Sequence, residues 1–108
     1  MSNDPIIDAV TFVLRAEDGR TTLRVVGELD LSSLQALSGA LDEAVQMTVR
    51  GMVLDLCDCP FLCSRSLGLI EASAFRLGER NARLLVRDQP PAFDLISSTV
   101  GTYVFDVV

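Results

Sequence analysis

The patterned part of the chain begins at Ile7, where Ala9, Thr11 and Val13 alternate with Val10, Phe12 and Leu14. Alternation with a period of two marks a strand with one buried face. Glu17-Asp18-Gly19-Arg20 is a turn signal, and the stretch from Thr21 to Val26 is again β-prone. Residues 7–27 therefore read as a hairpin or two adjacent strands. Gly27-Glu28-Leu29-Asp30 breaks the alternation. Ser32 and Ser33 then offer helix caps, and Leu34, Leu37, Leu41 and Ala44/Val45 recur at helical spacing to about Met47.

The run from Gly51 to Leu56 reads as a short buried strand, ending in the loop Cys57-Asp58-Cys59-Pro60-Phe61-Leu62-Cys63. Ser64 is placed to cap a second helix with Leu67, Ile70, Ala74 and Leu77 inward and Gly78 as its stop. Leu84-Leu85-Val86 centres another strand. Pro90 and Pro91 suit the first turn of a third helix, which carries Phe93, Ile96 and Val100 toward Gly101. The stretch from Tyr103 to Val108 reads as a last strand. The order β-β-α-β-α-β-α-β predicts an α/β fold. We expect a mixed, mostly parallel sheet of about four to five strands packed with about three to four helices. A chain of 108 residues has room for one domain. Residues 1–5 are expected to be a flexible N-terminus and residues 6–108 the domain.

Composition removes whole classes of function. The net charge of −6 argues against nucleic-acid binding, which draws its affinity from phosphate neutralisation. There is no His, so the commonest general base and metal ligand are missing. All nine basic residues are Arg, which excludes Schiff-base chemistry and the Lys of a phosphate loop. No Trp and a single Tyr leave no platform for stacking bases. No apolar run approaches the ~20 residues of a membrane span, and no signal-peptide pattern is present. The expectation is a cytoplasmic protein without membrane or nucleic-acid contact. Three cysteines do not make a disulfide framework. Cys57, Cys59 and Cys63 lack a fourth thiol or imidazole for a closed zinc site, so no metal and no cofactor is expected.

Two segments sit where the carboxyl ends of strands gather, the usual place for function in an open α/β sheet. One is Gly27-Glu28-Leu29-Asp30. The other runs through Asp55-Leu56, Phe61-Leu62, Ser64 and Leu67-Gly68-Leu69. Together with the order of elements over roughly residues 6–108, these resemble the STAS family of sulfate-transporter and anti-sigma-factor-antagonist domains. The length is similar to that of a stand-alone bacterial antagonist. The resemblance implies a non-enzymatic module that binds an anti-sigma factor, itself an ATPase-type serine kinase, with a phosphatase to reset the cycle. It implies that Ser64 is the phosphoacceptor, with Ser66 the second candidate. It also implies a partner surface comprising Asp30, Leu31, Ser32, Cys63, Ser64, Arg65 and Ser66.

The chain departs from the family pattern beside that acceptor. Cys63 stands for an Asp, Arg65 for a Ser or Thr, and Ser66 for a Gly. The alternative expectation is therefore a divergent interaction module without phosphoregulation: a constitutive binder, a signalling scaffold subunit or a redox-gated variant. Cys63 is the candidate redox residue, since a helix N-terminus and a neighbouring Arg both lower a thiol pKa. Asp55 and Asp58 read as solvated strand ends rather than a catalytic pair.

Overall fold

Asp18 and Gly19 both adopt positive φ, 55° and 80°. This is the backbone that a tight hairpin turn needs to match strand twist. They join β1 (Thr11–Glu17) to β2 (Arg20–Val26) in an antiparallel pair. The backbone amides of Val49 and Arg50 both donate to the Gly19 carbonyl, at 2.9 and 2.8 Å, pinning the turn against the entry to the next strand. The computed structural model describes residues 10–91, 93 and the backbone of 106–107.

After β2 come a one-turn 3₁₀ helix (Leu31–Ser33) and α1 (Leu34–Met47). Then follow β3 (Gly51–Asp58), α2 (Ser64–Gly78), β4 (Arg83–Arg87) and β5 (Asp106–Val107). The sheet runs in the order β1-β2-β3-β4-β5, antiparallel at its first pair and parallel thereafter. The expected α/β architecture with a mixed, mostly parallel sheet is what forms. Among the described residues it carries two α-helices and the 3₁₀ turn, fewer helices than expected. The third expected helix lies mostly outside the described residues. At its start, the Phe93 amide donates to the Pro90 carbonyl at 2.9 Å, and the Phe93 ring is fully buried.

Both helices cover one face of the sheet. Leu23 and Val25 of β2, Met52, Leu54 and Leu56 of β3, and Leu84 and Val86 of β4 point to that side. They meet Leu37 and Leu41 of α1 and Leu67, Ile70 and Leu77 of α2 in one core. The opposite face presents Thr22, Arg24, Val53, Asp55, Leu85 and Arg87. There Asp55 is not a solvated strand end. It is 8% exposed, accepts from the Cys57 amide at 3.0 Å, and pairs with Arg87 at 3.0 Å. Asp58 pairs with Arg24.

Cap geometry corrects one local expectation and changes the reason for another, since α2 does end at Gly78. The residue in the left-handed region after α2 is Asn81 (φ 61°), not Gly78, and the Ala82 amide behind it closes on the Leu77 carbonyl at 2.9 Å. The helix therefore runs through Gly78 and its last carbonyls are satisfied three residues later. Ser64, in turn, does not cap α2; Cys63 does, and Ser64 is the first helical residue.

Candidate functional site

Two loops at the carboxyl ends of β2 and β3 are stitched into one unit. The Gly27 amide donates to Asp58 O at 3.0 Å, and the Leu29 amide to Phe61 O at 3.0 Å. The Cys63 amide donates to Leu29 O at 2.9 Å, and Leu29 and Leu62 form a parallel bridge. Leu29 and Leu62 are both fully buried, so the seam is anchored in the core. Gly27 makes the approach feasible. Its φ of 119° suits glycine, and a Cβ there would sit 3.2 Å from Val10 Cα.

Asp30 lies on one side of the seam as the cap of the 3₁₀ turn. Its Oδ1 accepts from the Ser32 amide at 3.1 Å and from Ser32 Oγ at 2.6 Å. The Ser32 hydroxyl bond, aided by Ser33, lowers the Asp30 carboxyl below its ordinary value despite some desolvation. Ser33 is buried, and its hydroxyl turns back to Asp30 O at 2.9 Å. Leu31 beside it is 65% exposed.

On the other side, Cys63 and Ser66 form a reciprocal cap. Ser66 Oγ accepts from the Cys63 amide at 3.1 Å, and the Ser66 amide bonds to Cys63 Sγ. Ser66 Oγ also reaches Leu29 O at 3.0 Å and Cys63 O at 2.9 Å, while its residue is fully buried. Burial opposes ionisation of the half-buried Cys63 thiol. Hydrogen bonds from the Ser66 side chain and from the Ser66 and Arg65 amides outweigh it, and the thiol pKa falls. Ser64 and Arg65 are exposed at the rim, and Phe61 is 43% exposed beside them. Arg65 borders an open apolar hollow of about 550 Å³ with Leu34, Gln35, Ser38, Gly68 and Leu69.

The fold thus brings Asp30, Leu31, Ser32, Cys63, Ser64 and Arg65 to one end of the sheet. Ser66 lies beneath them, out of reach of solvent. The hydroxyl of Ser66, the second acceptor candidate, is thus enclosed. Sequence reasoning did not single out Ser66 as a cap or Phe61 as a surface ring. The Cys63-x-x-Ser66 spacing was the signal for the first, read with a thiol in the capping role usually filled by an oxygen.

The three cysteines diverge. Cys57 is exposed on β3, Cys59 is buried with Sγ donating to Phe61 O at 3.2 Å, and Cys63 caps α2. Among the described residues, Asp55, Cys57 and Asp88 bring possible metal-ligand atoms within 4.8 Å of one another. Asp55 already holds Arg87 there. No helix among the described residues is long and apolar enough to cross a membrane.

The chain is 31% identical over 72 residues to the anti-sigma-F factor antagonist RsfB of Mycobacterium tuberculosis, covering 67% of this chain and 59% of that protein. The chain therefore matches less than two thirds of the length of these curated relatives. Its structure is similar to that of an anti-sigma factor antagonist from Mycobacterium paratuberculosis, with a TM-score of 0.79, 27% identity, and 93% and 86% of the two chains covered. It shares its fold with the Bacillus cell fate determinant SpoIIAA in the phosphorylated form, with a TM-score of 0.69, 19% identity and 84% of each chain covered. A family model described as "Mlab, STAS domain" matches residues 12–101. That span takes in both stitched loops, the two helices and strands β2 to β4, and the chain belongs to the STAS domain family.

Proposed function

We propose that this chain is an anti-sigma factor antagonist. It acts in the cytoplasm by binding and not by catalysis, and phosphorylation of Ser64 switches its partner. The observation that carries the switch is the position of Ser64. Its residue is exposed, it opens α2, and among the described residues its hydroxyl has no hydrogen-bond partner. The hydroxyl is free to be modified without dismantling the cap beneath it, which Cys63 and Ser66 supply.

A phosphoryl group adds about 1.5–2 negative charges. At the first turn of α2 those charges face the positive end of the helix dipole, with the exposed Arg65 alongside. The domain tolerates them, whereas a partner surface fitted to a neutral hydroxyl does not. The contact surface is Asp30, Leu31, Ser32, Cys63, Ser64 and Arg65, with the ring of Phe61 at its edge. The partner is an anti-sigma factor that is also an ATPase-type serine kinase, and a phosphatase restores the free hydroxyl.

One observation favours a second reading. Hydrogen bonds depress the Cys63 pKa directly beneath this surface, so oxidation of the thiol would gate binding without Ser64.

The test is affinity capture from native extract with tagged wild type, Ser64→Asp and Cys63→Ser. Recovery of a kinase-type ATPase by wild type and its loss with Ser64→Asp supports the phosphoswitch. Equal recovery by both, combined with peroxide-sensitive capture that Cys63→Ser abolishes, favours the redox reading. Failure of wild type to recover any such partner overturns the antagonist reading.

A further inference from the structure

The opposite end of the sheet is built differently. The first residues of β2, β3 and β4 stand in register, Arg20 beside Gly51 and Gly51 beside Arg83. Alternation places all three on the face away from the helices, with Thr22, Val53 and Leu85 in the next row. Gly51 has no side chain, so Arg20 and Arg83 flank a notch two strand spacings wide, about 10 Å. Arg15 enters the same face from β1, opposite Thr22, and Arg50 immediately precedes β3. All four arginines are exposed, while Val53 and Leu85 between them are half-buried.

Two adjoining hollows result, of about 310 and 500 Å³, and Arg20, Arg50 and Val53 line both. Arg83 already engages another group, which leaves Arg15, Arg20 and Arg50. Among the described residues Arg15, Arg20 and Arg50 make no ion pair, although Glu17 stands opposite Arg20 and Asp18 borders the larger hollow. Four of the nine arginines thus gather at one end of a chain whose net charge is −6.

We propose that this end of the open sheet face is a second binding surface, which takes an acidic polypeptide segment of a partner protein independently of Ser64. The guanidiniums on β1, on β2 and at the entry to β3 match carboxylates spaced along an extended chain, each able to accept paired N–H bonds. A compact small molecule needs enclosure on most of its surface, and among the described residues these hollows lie on an open face with no aromatic side chain in their lining. A nucleic acid draws its affinity from neutralising many phosphates along a basic track, more than these few guanidiniums supply. The eight residues of β3 separate this surface from the Ser64 loop by about 25 Å. That exceeds the screening length of roughly 8–10 Å at physiological salt. The two ends can therefore be occupied together, and the domain becomes a bridge between partners.

The test measures fluorescence anisotropy of a labelled oligoglutamate peptide titrated with the full chain. Wild type and Ser64→Asp bind it alike, added salt weakens both, and Arg20→Gln/Arg50→Gln binds about tenfold more weakly with an unchanged circular dichroism spectrum. Arg50 packs against Gly19, so Arg15→Gln/Arg20→Gln serves if the first double variant unfolds. Arg24→Gln, further along the same face and already paired with Asp58, stays within about twofold of wild type. Absence of binding by wild type overturns the proposal, as does undiminished binding by the folded double variants. So does an equal loss with Arg24→Gln, which shows only generic charge. Displacement of the peptide by tripolyphosphate at far lower concentration reassigns the surface to compact polyanions.

Discussion

Ser66 Oγ lies 3.0 Å from the carbonyl oxygen of Leu29, a contact that spans 37 positions of sequence and joins the first turn of α2 to the end of the β2 loop. The same oxygen accepts from the Cys63 amide at 3.1 Å and reaches the Cys63 carbonyl at 2.9 Å. One buried hydroxyl therefore holds the β2 and β3 loops in a fixed relation. Ser66→Ala leaves the Cys63 amide with Leu29 O alone and removes the link from α2 to Leu29. The expected cost is about 1–2 kcal/mol, read as a melting temperature lower by roughly 5–10 °C. An unchanged melting curve would show that Leu29 and Cys63 hold the seam without it.

The cysteines differ in environment, and their reactivity follows. Desolvation and the neighbouring Asp55 carboxylate raise the pKa of exposed Cys57, and burial raises that of Cys59. Cys63 is the one whose pKa is lowered. Because the thiolate is the nucleophile, iodoacetamide near neutral pH should alkylate Cys63 first, Cys57 more slowly despite its greater exposure, and Cys59 only on unfolding. Peptide mapping of a time course reads the order. A Cys57-first result would mean that access outweighs ionisation here.

Acid stability should depend on Asp55. Burial works against its charge, yet the Cys57 amide and the Arg87 guanidinium outweigh that and hold its pKa below the ordinary carboxylate value. A carboxyl depressed on folding contributes stability above its unfolded pKa, and loses it as pH falls through the folded value. Wild type should therefore lose stability below about pH 4, and Asp55→Asn should be less stable than wild type at pH 7 with a flatter acid limb. Urea melts across that range check both. Parallel acid limbs would assign the loss to other carboxylates, of which Asp30 is the next depressed group.

Most of this architecture was readable because it rests on periodicity. Leu34, Leu37 and Leu41 spelled α1, and the alternation through Leu23 and Val25 spelled β2, since burial of one face imposes those spacings. The chemistry of the caps was not readable. A serine at position 64 and a cysteine before it are interchangeable as cap candidates in a pattern of polar and apolar residues. Which one takes the role depends on the Leu29–Leu62 bridge that sets where α2 begins. Asp55 was misread for a related reason. Its carboxylate is held by Arg87 on the neighbouring strand, 32 positions away, and no local pattern carries that pairing. The loops at the site were legible as motifs, and their stitching was a property of the tertiary structure.

Gly27 gives the sharpest check on that stitching. Its φ of 119° lies where side chains are strained, and an added Cβ would stand 3.2 Å from Val10 Cα, a backbone atom that cannot swing aside. Gly27→Ala should therefore cost about 1–3 kcal/mol through strain and displacement, in contrast with Gly68→Ala. Gly68 lies in α2 with open space around it, so alanine there should be neutral or stabilising by up to about 1 kcal/mol. The two variants separate scaffold from surface. Gly27→Ala should lower both stability and partner capture, because its amide holds Asp58 O and leads directly into Leu29. Gly68→Ala leaves the fold intact and adds a methyl to the hollow beside Arg65, so any loss of capture there reports contact with the partner. Thermal melts run beside the capture assay read both. Equal stability of Gly27→Ala and wild type would show that the β2 loop can adopt another path to the same seam.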